Sequence, residues 1–304
     1  MSTVYLNGEF MPIEEARVPV MDRGFLFGDG VYEVIPVYSR RPFRLAEHLR
    51  RLATSLAAIR LASPHADAEW TRIIEHVVAA AVGEIGEDQS VYLQVTRGPM
   101  AVRNHAFPKE VAPTVFVMTE PLVTPSAELR ETGIAAVSAA DNRWHRCDIK
   151  SISLLANCLL RQRAVDHGCA ETVLFRDGFL IEGAASNIFA VKDGALLAPQ
   201  KNHLMLPGIT YDVVLELAAR HGLPVQVRDV LADEARNADE LWLTSSTKEV
   251  LPIVMLDDRK VGAGETALTG SLRGSPRGMG TPGPVFRRMH GWYQEFKRRE
   301  MRGG

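Results

Sequence analysis

The spacing of apolar positions changes several times along the chain, and each change marks an element. "TVYLNGEFMP" at Thr3 to Pro12 reads as two short strands joined at Asn7-Gly8, a dipeptide that accepts the positive φ angles of a tight primed turn. "VYEVIPVY" follows as another strand. From Leu45 the period lengthens: Leu45, Leu49, Leu52, Leu56 and Ile59 recur at helical spacing, with arginines on the opposite face. A further helix is predicted from about Asp67 to Val82 with Asp67 as its N-cap. "VYLQVTR" and "PTVFVMT" return to strand character.

The second half alternates in the same way. A strand is expected near Ile134 to Ala139, a helix from Ser153 to His167, and hairpins turning at Arg176 to Gly178 and at Lys192 to Gly194. A helix from Thr210 to His221 precedes strands at "VQVRDV", "ELWLTS" and "LPIVML", and "FRRMHGWYQEFKRR" has the period of an amphipathic helix. The sum is α+β with mixed sheets rather than a regular βαβ series. The proline-rich, polar "EPLVTPSAELRETG" supplies a linker, so the expected organisation is a smaller N-terminal domain over 1–120, a linker over 121–131 and a larger domain over 132–304 that carries Lys150. Val261 to Pro284 is rich in glycine and proline and reads as a loop. Its "GMGTPG" fits dinucleotide-binding spacing only formally, because no strand leads into it and a proline interrupts it.

Composition narrows the partners. A chain of 304 residues has room for two domains with real cores, and a net charge of -2 argues against nucleic acid or a membrane surface as the main partner. The sequence holds no apolar run of membrane-spanning length and its start has no basic head, so a cytoplasmic protein acting on small molecules is expected. Cys147, Cys158 and Cys169 are odd in number and widely spaced, which fits reduced thiols better than disulfides or a metal site.

The candidate chemistry centres on lysine, which occurs seven times against twenty-eight arginines. Lys192 and Lys260 fall at hairpin tips, Lys109 and Lys201 in polar loops, and Lys297 on the basic face of the last helix. Lys248 follows a run of hydroxyl residues in a loop. Lys150 alone stands where polar sequence gives way to an apolar run, with Ile149, Ile152 and Leu154 around it and Arg146 nearby. Burial or a neighbouring positive charge favours the neutral amine, which is the nucleophilic form. On its own window, a snorkelling lysine at a helix start is the favoured reading.

Eight pieces in order across nearly the whole chain carry a resemblance: "DRGFLFGDGVYEV", "EHLRRL", "VTRG", "RNHAFP", "RWHRCDIKSISLL", "EGAASNIF", "LPGITYDVV" and "LWLTSSTKEV". Together they resemble the fold-type IV pyridoxal-phosphate enzymes, and within them the D-amino acid aminotransferases. The resemblance implies pyridoxal 5'-phosphate as cofactor, with Lys150 binding it as a Schiff base and then shuttling the substrate proton. It implies Glu182 at the pyridine nitrogen, Leu206 against the ring face, and Arg51, Gly208, Ile209, Thr210, Ser245 and Ser246 around the phosphate. These residue types suit such a cofactor, since the ring withdraws electrons best when its nitrogen is protonated, and anions are held by arginine forks and helix N-termini.

The resemblance also implies a trap for the substrate α-carboxylate made of Tyr32, Arg103 and His105, all three contributed by the partner subunit of a homodimer. Ala184 and Ala185 stand where family members often carry serines, which leaves fewer hydroxyls near the cofactor. The expected reaction is ping-pong transfer of an amino group between a D-amino acid, D-alanine first, and a 2-oxo acid such as 2-oxoglutarate. A branched-chain L-amino acid aminotransferase, an (R)-amine transaminase and an aminodeoxychorismate lyase are the alternatives on the same scaffold, and a non-catalytic binding protein is the alternative of another class.

Overall fold

The computed structural model describes residues 3–262 and 280–301, so most of the glycine- and proline-rich loop lies outside the described residues. The chain forms two units: Met1–Leu122 with Ile149–Leu154, and Val123–Asp148 with Leu155–Gly304.

The first unit is built on a sheet in which each paired strand runs antiparallel to its neighbour. Its elements are β1 (Thr3–Leu6), β2 (Glu9–Pro12), α1 (Arg23–Phe27), β3 (Gly30–Tyr38), β4 (Arg41–Pro42), α2 (Leu45–Ala58), α3 (Asp67–Ile85), β5 (Gln89–Thr96) and β6 (Thr114–Pro121). The strand order is β2-β1-β6-β5-β3-β4. Asn7 at φ 51° and Gly8 at φ 108° make the first hairpin turn as expected. Leu49, Leu52 and Leu56 of α2 and Trp70, Ile73 and Val77 of α3 share a core with Val31, Ile35, Val91, Leu93 and Val117 of the sheet. Asp67 does not cap α3: Ala66 holds the cap position without a side-chain bond, and Asp67 is the first helical residue. A carboxylate there still faces the positive end of the helix dipole.

Ile149–Leu154, assigned from sequence to the C-terminal domain, packs with the first unit. The reason is backbone pairing. Val31 bridges Ser151, the Tyr32 N–H donates to the Lys150 carbonyl at 2.9 Å, and the Ile152 N–H donates to the Gly30 carbonyl at 3.1 Å. The segment therefore runs along the β3 edge that β4 covers farther on.

The second unit contains α4 (Ala127–Thr132), β7 (Ile134–Ala140), α5 (Leu155–Asp166), β8 (Glu171–Arg176), β9 (Phe179–Gly183), β10 (Asn187–Lys192), β11 (Ala195–Pro199), α6 (Ile209–Arg220), β12 (Val225–Arg228), β13 (Val230–Leu231), α7 (Ala232–Arg236), β14 (Glu240–Ser245), β15 (Glu249–Leu256), β16 (Arg259–Lys260) and α8 (Pro284–Met301). Its sheet runs β12-β11-β10-β14-β15-β7-β8-β9-β13, with β16 beside β15. Parallel pairs (β7 with β8, β15 with β7, β11 with β12) mix with antiparallel ones, the α+β arrangement expected. Half of the supposed linker is helix α4, whose N-cap Ser126 accepts from the Leu129 N–H. Both Asp-Gly hairpins form, with positive φ at Asp177, Gly178, Asp193 and Gly194. The buried Glu240 accepts the Val285 and Phe286 N–H groups at 2.8 and 2.7 Å and so caps α8. No helix among the described residues is long and apolar enough to cross a membrane, and no metal-ligating cluster of three or more His, Cys, Asp or Glu occurs among them.

Candidate active site

In the first unit Lys150 lies in extended chain, five residues ahead of α5. Its N–H donates to Ser55 Oγ at 3.2 Å, and its Nζ stands 4.0 Å from the centre of the Tyr32 ring. The backbone is fixed at both peptide groups while the half-buried amine rests on an aromatic face, a placement that suits a cation and leaves the nitrogen at hand. Tyr32 thus meets the lysine of its own chain.

Arg51 is not on a solvent face of α2. It is buried and forks onto Glu33, with Nε to Oε1 at 2.8 Å and Nη2 to Oε2 at 2.7 Å, and His48 Nδ1 meets the same carboxylate at 2.7 Å. Glu33 is wholly buried; against that desolvation, Arg51 and then His48 hold its carboxyl down at about 2. Burial pushes His48 below its usual value. Glu33 and His48 escaped the sequence reading, although His48 and Arg51 are three apart on one helix face and Glu33 lies inside the "VYEV" motif. Arg103 and His105 are exposed on the loop that follows β5; the Arg103 guanidinium lies 4.9 Å from the Phe27 ring centre, and the His105 ring 5.2 Å from it.

In the second unit Glu182, near the end of β9, is almost fully buried. Arg143 Nη1 donates to its Oε1 at 2.6 Å, and Asn187 Nδ2 and the Leu206 N–H donate to its Oε2 at 3.1 Å each. Burial pushes the Glu182 carboxyl up to about 7, with Arg143 pulling the other way. Arg143 is itself fixed by Asp141, which also pairs with Arg176. Arg143 opens the "RWHRCDIKSISLL" piece, but nothing in its polar surroundings marked it as the partner of Glu182.

Asn187 joins the carboxylate to the helix start. It also donates to the Leu206 carbonyl at 2.9 Å, and a Cβ on Gly208 would lie 2.0 Å from its Oδ1, so the glycine is required for this approach. Gly208 is the N-cap of α6 and makes no side-chain cap bond; Ile209 and Thr210 open the helix. Ser245 Oγ accepts the Lys248 N–H at 3.1 Å, and Ser246 follows half-buried. Lys248 pairs with the buried Glu171 at 3.3 Å, which separates it from the role given to Lys150.

The profile of the Amino-transferase class IV family matches residues 30–256. The chain belongs to the class IV aminotransferases. D-alanine aminotransferase of Bacillus licheniformis is 39% identical over 263 residues, 86% of this chain and 90% of the relative. That of Staphylococcus aureus (strain N315) is 34% identical over 297 residues, 97% and 98%. Among solved structures, a T.th. branched-chain amino acid aminotransferase with pyridoxamine 5'-phosphate superposes with a TM-score of 0.83 at 28% identity, covering 97% of this chain and 93% of that one.

A class IV aminotransferase depends on pyridoxal phosphate, and the residues fit that group. The start of α6 lacks a side-chain cap, and the buried Thr244 Oγ1, adjacent to Ser245, has no hydrogen-bond partner among the described residues, so donors suited to a phosphate stand ready. Glu182 is a buried carboxylate whose ionised form awaits more positive charge than Arg143 supplies.

Proposed function

We propose that this class IV aminotransferase is a D-amino acid transaminase, moving the amino group of a D-amino acid such as D-alanine to a 2-oxo acid such as 2-oxoglutarate. The observation that carries the reading is the Lys150 amine held over the Tyr32 ring, in a chain that aligns along most of its length with D-alanine aminotransferases. Bound pyridoxal phosphate supplies an aldehyde for the amino group and a ring that draws electrons from the α-carbon.

The chain's own residues do the rest. Lys150 would hold the cofactor covalently, and its free amine would move the substrate α-proton. Glu182 keeps a proton on the ring nitrogen, with Arg143 fixing the carboxylate that does so. Leu206 packs against the ring. The phosphate is held by Arg51, kept in orientation by Glu33, and by Gly208, Ile209, Thr210, Ser245 and Ser246. Arg103 and His105, joined by Tyr32, would bind the substrate α-carboxylate. The enzyme works as a homodimer in which Tyr32, Arg103 and His105 serve the partner's site; the exposed Val20, Phe25 and Val102 on the first unit and Leu155 and Leu159 on the second support such a contact. The free cysteines and the substrate pair suit a cytoplasmic setting.

Purified protein should be yellow, and borohydride should fix the cofactor on Lys150, as located by peptide mapping. Lys150→Ala should lose the fixed adduct, and an adduct on Lys248 would refute the assignment. Half-reaction rates with D-alanine, L-leucine and (R)-1-phenylethylamine test the specificity; turnover of L-leucine alone would overturn it in favour of the branched-chain reaction.

A further inference from the structure

We propose that Arg23 is a positioning residue for substrate: its buried guanidinium shapes the loop that presents Arg103 and His105, and so sets affinity for the α-carboxylate. This rests on the reading of Arg103 and His105 as carboxylate ligands. The loop needs an internal template, because residues 101–107 are all exposed and none anchors it by burial of a whole side chain. Arg23, only 3% exposed, supplies one. Its Nη1 donates to the carbonyls of Asn104 at 2.7 Å and Ala106 at 3.3 Å, and its Nη2 to that of His105 at 3.0 Å.

Three successive carbonyls are therefore turned toward one cation. The template is itself locked. Arg23 Nε donates to Asp29 Oδ2 at 2.7 Å, and Asp29 also receives Arg97 through Nε at 2.8 Å and Nη2 at 3.1 Å. Arg97 in turn lies 3.6 Å from the ring centre of Phe107, which clasps the far end of the loop. The Phe27 ring, at the end of the helix that Arg23 begins, packs by both Arg103 and His105. One short helix thus carries both the cation that folds the loop backbone and the ring that orders its two ligands.

The test is Arg23→Lys in the holoenzyme, which keeps the charge but cannot reach three carbonyls with a fork. KM for D-alanine and for 2-oxoglutarate should each rise about tenfold or more, since small misplacements of ligand groups are costly. The cofactor absorbance and the borohydride adduct should be unchanged, and hydrogen exchange should accelerate in a peptide spanning 101–108. Added to the Arg103→Met, His105→Phe double variant, the change should cost little more, because it acts through those two ligands. Phe107→Ala, at a half-exposed side chain, should move exchange and KM in the same direction and by less. Unchanged KM and exchange in Arg23→Lys, additive losses with the Arg103→Met, His105→Phe double variant, or a defect confined to cofactor retention would overturn the proposal. If Arg103→Met and His105→Phe themselves leave KM unaltered, the carboxylate reading fails and this role falls with it; if they raise KM and Arg23→Lys does not, only the role of Arg23 falls.

Discussion

Replacing Glu33 by Gln tests the buried assembly that orients Arg51. The carboxylate receives two bonds from Arg51 and one from His48. A glutamine can turn its oxygen toward two of these donors, but its amide nitrogen then opposes the third. Glu33 sits at about 2 instead of 4.5, a difference worth about 3 kcal/mol of native-state stability at about 1.36 kcal/mol per unit. Its side chain is 0% exposed, so no solvent screening reduces that figure. Independently, breaking a buried ion pair at one partner costs about 3–5 kcal/mol.

The expected loss in urea unfolding of cofactor-free protein is therefore about 3 kcal/mol, accompanied by a fall in midpoint temperature of roughly 6–12 °C. The sign follows from the depressed carboxyl: its contribution is complete above about pH 4.5 and disappears as pH falls through about 2. His48, pushed below its usual value, is neutral above pH 7. The gap between wild type and Glu33→Gln should then be constant from pH 7 to 9, and cofactor affinity should fall with it. A loss below about 1 kcal/mol, or one that changes across pH 7 to 9, would refute the reasoning that a charged Glu33–Arg51 pair with neutral His48 holds this site.

Other outcomes follow from the second unit. A carboxyl raised to about 7 keeps a proton that the unfolded chain has released, so Glu182 should make cofactor-free protein less stable as pH rises from about 4.5 to 7 and level thereafter. Glu182→Gln should remove that slope and lower kcat by about a hundredfold or more; equal slopes in both proteins would contradict the assignment. Gly208→Ala should weaken cofactor binding about tenfold or more in a fluorescence titration, because its Cβ would displace Asn187, and wild-type affinity would mean that Asn187 moves freely. Lys248→Met should retain the borohydride adduct, as mass spectrometry of the peptides would record.

Local rules made much of the fold legible. Asn7-Gly8, Asp177-Gly178 and Asp193-Gly194 specify turns through backbone angles that few other residues accept, and each hairpin stands where its dipeptide does. The leucine stripe of α2 likewise points into the core. Arg51 shows where such reading stops: the same periodicity puts it on the solvent side, and Glu33, contributed by a strand eighteen residues earlier, helps make its burial affordable. Helix α4 was hidden because the prolines around it suggested a linker, while its own Ser126 cap was a sufficient start signal. The motif order identified Lys150, Glu182 and Gly208 as candidates. Arg143 and Thr244 lie within the matching pieces, but the partner of the one and the lack of a partner for the other's hydroxyl among the described residues are set by the sheet and leave no local pattern.

The return of Ile149–Leu154 to the β3 edge has a bearing on how the polypeptide matures. A nascent chain that has emerged only as far as Leu122 lacks six residues of its first unit, including the lysine and the partner of Val31. Completion of that unit waits until the ribosome has passed residue 154, by which time the opening stretch of the other unit has also been made. Cutting the gene at the apparent boundary would accordingly leave the first unit short of six residues, and the amine would leave with the fragment that carries the second unit.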